Sequence, residues 1–139
     1  MKNSLHFILL LLFLGCSSKK EKEVIITTNN TYKQSEMAAL MLQMYAANLE
    51  NKKLILEGKT PADFPDEFLN IHTAKLTDAS DRNASFNSFS EYYLKTLAQV
   101  YTAKDSLKLK HNNAINSCIA CHQTTCLGPI PKIKKLLIK

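Results

Sequence analysis

Apolar residues first gather in one unbroken run of eight, Phe7 to Leu14, and afterwards recur at helical spacing. Between them, residues 17–34 are polar, charged or β-branched and offer little to bury. Ser35 then predicts an N-cap, with Glu36 placed well for the helix dipole. The first helix should run to about Glu57 and stop at Gly58. Its polar seam is Glu36, Gln43, Glu50 and Glu57, repeating every seven residues. At about 100° per residue the opposite face centres on Met41, with Met37, Tyr45 and Asn48 beside it. Pro61 and Pro65-Asp66-Glu67 predict a short second helix, roughly Pro65 to Thr73, with Phe64, Phe68 and Ile71 as its stripe. Residues 77–85 read as a loop.

Ser85 is expected to cap a third helix over residues 86–103, where Phe86, Phe89, Tyr93, Leu97 and Val100 fall at helical spacing. Asp105-Ser106 should cap a fourth, whose stripe is Leu107, His111, Ile115, Cys118 and His122. It must end by Gly128-Pro129, since proline disfavours helix at the residue before it. No internal repeat occurs. The lack of Trp, with only three Gly and four Pro, agrees with an all-α chain.

The chemistry concentrates on that fourth helix. Cys118-Ile119-Ala120-Cys121-His122 is the C-x-x-C-H pattern of a covalent c-type haem. Two thiols must add across two vinyl groups on one porphyrin edge, and residues three apart share a helix face. His122 follows at once and offers its imidazole to the iron as proximal ligand. The competing reading is half of a zinc site, completed by His111 and Cys126.

Lys2 and the apolar run make residues 1–15 an export signal, too short to span a bilayer. Leu14-Gly15-Cys16 resembles the lipobox of bacterial lipoproteins, which implies that Cys16 is lipidated and becomes the first mature residue. Ser17, by resemblance to the usual sorting rule, points to the outer membrane, facing the periplasm. The plainer reading is a cleaved signal with an incidental cysteine. Residues 16–34 would then be a flexible tether and 35–139 the haem-binding domain, one core for a 139-residue chain. Cys16 takes lipid, Cys118 and Cys121 take haem, and Cys126 is left over. Net charge is +6 and falls to +5 once Lys2 is removed, which suits an acidic partner. Nothing in the pattern suggests nucleic acid.

An all-helical exported chain with C-x-x-C-H on its last helix resembles the class II c-type cytochromes, the cytochrome c-prime group. The resemblance covers residues 32–126 and implies an antiparallel four-helix bundle clasping one haem, with any distal ligand supplied by the first helix. Tyr32-Lys33-Gln34-Ser35 and the spacing from Asn48 to Gly58 are two further local matches. The first puts Met37 at the family's distal position and the second puts Leu42 there, whereas periodicity selects Met41. A methionine there implies a six-coordinate electron carrier; leucine implies a five-coordinate, gas-binding centre. The family's basic residue shortly after the haem histidine has no counterpart in Gln123-Thr124-Thr125-Cys126.

No methionine follows His122, so a methionine ligand must be Met37, Met41 or Met44. His111 lies about 16 Å from His122 along the same helix and cannot face it across one iron. His72 could swing in from the second helix. The tail from Pro131 to Lys139 reads as a solvated end packed by Leu136 and Ile138, or as a dock for an acidic partner or an anionic surface. No nucleophile–base pair stands out. The sequence thus leads to a lipid-anchored, one-electron carrier rather than an enzyme. Its rivals are a gas-binding haem protein and a zinc-stapled structural lipoprotein.

Overall fold

The structure is a computed structural model and describes residues 33–139; the export signal, Cys16 and nearly all of the tether lie outside the described residues. Their regular structure is all helical, with no strand among the described residues. The long elements are α1 (Glu36–Leu56), α2 (Ala84–Thr102) and α3 (Leu107–Thr125), followed by a short α4 (Ile130–Ile133). Three 3₁₀ helices, Asp66–His72, Ala79–Asp81 and Lys134–Leu136, complete the chain.

Helix α1 begins and ends where its sequence signals stand. The Ser35 hydroxyl accepts from the Ala38 amide at 3.1 Å. At the other end Gly58 has φ +75°, the left-handed conformation that glycine adopts without a Cβ penalty. The Gly58 amide donates to the Ile55 carbonyl and the Lys59 amide to that of Leu54, which is the Schellman closure.

Three expectations are corrected. The second helix is a seven-residue 3₁₀ helix, Asp66–His72, not an α-helix over Pro65–Thr73. Its ordering comes from burial of Phe68 and Ile71, and from Arg82, whose guanidinium donates to the carbonyls of Ile71, His72 and Ala74. Helix α2 is capped by Asn83, whose Oδ1 accepts from the Phe86 amide at 2.9 Å; Ser85 falls inside its first turn. Ser106 sits at the start of α3 with φ +54° and makes no capping bond. That left-handed residue turns the chain sharply between α2 and α3.

The turn folds α3 back along α2. The hydroxyls of Thr96 and Ser117 meet at 3.3 Å, and Phe86 at the start of α2 borders the same cavity as Thr125 at the end of α3. By contrast α1 and α2 run in the same direction, because Asn48 bonds Tyr93 and Asn51 bonds Tyr101, both at 2.9 Å. Leu97, Val100, Ala114 and Ile115 are wholly buried between the helices, with Leu40, Met44, Phe68 and Phe86 around them. Truncating a wholly buried leucine such as Leu97 costs about 2–5 kcal/mol, so this core alone accounts for much of a small domain's stability.

The tail is clamped rather than solvated. Leu136 and Ile138 are buried as expected, yet polar side chains also hold the main chain. The Lys52 ammonium donates to the carbonyls of Lys135 and Leu137 at 2.9 and 2.8 Å. Asn112 both donates to and accepts from the Ile138 backbone at 2.8 Å. His111, wholly buried, bonds the Leu136 carbonyl at 3.0 Å. A carbonyl only accepts, so Nε2 carries the proton; the lone pair of Nδ1 has no partner among the described residues.

Burial pushes the His111 pKa below the usual histidine value, with the Lys52 charge adding to the effect. The folded state therefore favours neutral His111. Its contribution is fully present above the unfolded value near 6.5 and is lost as pH falls below it. Urea unfolding at pH 7.5 and 5.5 should show a stability drop at the lower pH, reduced in His111→Gln. An equal drop in that variant would assign the acid sensitivity elsewhere.

Candidate metal centre

The last two turns of α3 carry Cys118, Cys121 and His122 toward α1. Cys118 packs against core residues on both of its sides. Burial pushes its thiol up to about 12, with Cys121 nearby as a lesser cause. The Cys121 thiol is also raised by burial. Both sulfurs are thus neutral thiols at pH 7. Tyr93 stands beside Cys118, and burial raises its phenol well above the usual value, with the Cys118 charge second.

His122 is fixed in one tautomer. Its Nδ1 lies 2.9 Å from the Cys126 carbonyl, which can only accept, so Nδ1 holds the proton and Nε2 keeps its lone pair. The Cys126 amide in turn donates to the His122 carbonyl at 3.1 Å, closing the helix end beneath the ring. Orientation of a ligating imidazole through its other nitrogen is the usual support for a metal-binding histidine.

Two apolar cavities meet at this corner. One is bordered by Met44, Tyr45, Phe89, Tyr93 and Cys118, the other by Met37, Leu76, Phe86 and Cys126. Met41, Cys121 and His122 border both. Among the three candidate methionines, Met41 alone has that position. Met37 and Met44 are each only 5 % exposed, locked in the core, and each borders one cavity. Leu42 is 51 % exposed and borders the first cavity alone.

Other expected residues fall elsewhere. His72 is exposed and borders neither cavity; its carbonyl serves Arg82 instead. His111 is held by the tail, away from Cys118 and Cys121, and Cys126 is exposed. Among the described residues, no group of three or more His, Cys, Asp or Glu converges on one point suited to a metal ion. The four ligands of the zinc reading are therefore not brought together.

Several residues of the site have no signal in the motif. Pro129, Lys132, Ile133 and Leu136 of the tail border the first cavity, and the Lys132 ammonium lies 4.5 Å from the Tyr45 ring centre. Asn48 and Tyr93 also border it and are bonded to one another. Only the alternation of lysine and isoleucine in the tail hinted that one of its faces was covered.

The donor set suits a haem. Two thiols lie on one helix face, an imidazole has a free Nε2, and a thioether borders the same two apolar cavities. Charge is lopsided as well: from Ser106 to Lys139 the chain holds six lysines and no acidic residue. Comparison with known protein families, with curated proteins and with solved structures finds no match for this chain.

Proposed function

We propose that this chain is a monohaem c-type cytochrome of the class II kind, a one-electron carrier. The observation that carries the reading is C-x-x-C-H ending in a tautomer-fixed His122 that shares both cavities with Met41. Cys118 and Cys121 would hold the haem as thioethers, His122 would ligate it through Nε2, and Met41 would supply the sixth ligand. When bound, haem supplies a one-electron ferric–ferrous couple. The protein's part is retention, ligand orientation and exclusion of water from an apolar site. The helix directions support an up-down-up-down bundle, with α1 and α2 alike and α3 reversed. In it, Asp66–His72 would stand where a full second helix is usual.

The test is a haem stain on a denaturing gel, after export with cytochrome maturation. Thioether-linked haem survives denaturation, so a stained band is expected at the mass of the mature chain. Absence of stain would overturn the haem reading and leave a chain without covalent cofactor. The gas-binding alternative needs Leu42 over an open iron, and the exposure of Leu42 disfavours it.

By this reading Cys16 carries lipid and holds the domain on the periplasmic side of the outer membrane. The six lysines of residues 106–139 would face an acidic redox partner. Cys16→Ser should move the protein from the membrane pellet to the soluble fraction. Unchanged partitioning would mean that the anchor is not at Cys16.

A further inference from the structure

The core of α1 contains a polar side chain whose chemistry is only half used. Asn48 is 2 % exposed. Its Nδ2 donates to the Met44 carbonyl at 2.8 Å and to the Tyr93 hydroxyl at 2.9 Å. The amide cannot be flipped, because Oδ1 would then face the Met44 carbonyl at that distance, two acceptors without a proton. Oδ1 is therefore placed by the structure, and it has no partner among the described residues. A buried carbonyl oxygen without a donor is costly to keep and asks for an explanation.

Its surroundings supply one. Asn48 borders the first cavity together with Tyr93 and Cys118, and although Ser90, His122 and Lys132 also line it, the surface the cavity presents is almost wholly apolar. In such a site the negative end of a fixed dipole is little screened. We infer that Asn48 is a redox-tuning residue, whose carbonyl oxygen stabilises the oxidised, more positively charged form of the cofactor and so lowers its reduction potential. This rests on the haem reading above and adds a sign to it. One electron enters on reduction; no bond is made or broken, and no proton need move. Tyr93 acts through Asn48, holding the amide so that its oxygen is the atom left over.

Asn51 provides the internal control. It lies on the same helix, is buried to a similar degree and donates to a tyrosine hydroxyl at the same 2.9 Å, but it borders neither cavity. The experiment is spectroelectrochemical titration of matured wild type, Asn48→Leu and Asn51→Leu. Asn48→Leu should raise the midpoint potential, so that the reduced-to-oxidised ratio at one electrode setting rises about three- to tenfold. Asn51→Leu should leave it unchanged. Should Asn48→Leu fail to mature, Asn48→Ala is read in the same way. A potential that stays put or falls in the Asn48 variants, or that rises equally in Asn51→Leu, overturns the assignment while leaving the haem reading intact. Wild type without covalent haem overturns both.

Discussion

Cys118→Ala combined with Cys121→Ala is expected to abolish covalent haem, leaving the mature chain one haem mass lighter and unstained on a denaturing gel. The expectation follows from bond chemistry. Each thiol would add its S–H across one vinyl group, forming a C–S and a C–H bond, with no oxidant or reductant consumed. Alanine has nothing to add. Either single variant retains one thiol and should keep part of the stain. Misfolding is a poor alternative explanation, because each change removes one sulfur, from Cys118 within the core and from Cys121 at the cavity border. Losses of that size cost about 1–2 kcal/mol, and a helical circular dichroism spectrum would confirm the fold. His122→Ala should keep the thioether link while losing the proximal nitrogen, which changes the spectrum without changing the mass of haem attached. A double cysteine variant that held haem through acid–acetone extraction would refute the attachment.

The sequence carried the parts of this molecule that depend on local rules. Ser35, Gly58 and the C-x-x-C-H spacing each act within a few residues, and each stands where expected. Asn83 was equally readable, as a capping residue three before Phe86; the nearer Ser85 drew the assignment away from it. The face of α1 was harder. Its polar seam is regular, but apolar residues occur on nearly every other side, and Leu42, Leu49 and Leu56 stay about half exposed. The buried row is instead Met37, Leu40, Met44, Asn48, Asn51 and Ile55, with Met41 at its margin. Two of those six are asparagines: helical spacing set Asn48 beside Met41, but nothing in the pattern marked Asn51 as buried. They are buried because tyrosines of α2 receive their amides, a pairing across 45 and 50 residues of chain. The tail escaped for the same reason. Lys52, His111 and Asn112 hold it through its backbone, and backbone acceptors have no sequence signature.

The place of Met41 at the margin of the buried row of α1 sets up the second large effect. Met41→Leu should convert a low-spin, six-coordinate iron to a high-spin one that binds carbon monoxide, whereas Met37→Leu and Met44→Leu should leave the spectrum as it was. Met37 and Met44 are already committed to the core, and each borders only one of the two cavities. Met41 is only partly buried and borders both cavities with His122, so a group lying across the two would have Met41 and His122 against it. Leucine nearly conserves volume, so each exchange costs below about 1.5 kcal/mol and all three variants should fold. A methionine ligand raises the potential relative to an open site, and its loss should lower it. The sign is opposite to that expected of Asn48→Leu, which keeps the two effects apart in one titration. If matured wild type is already high-spin and takes up carbon monoxide at once, Met41 is not a ligand. The register set by Asn48 and Gly58, with Leu42 over an open iron, would then hold.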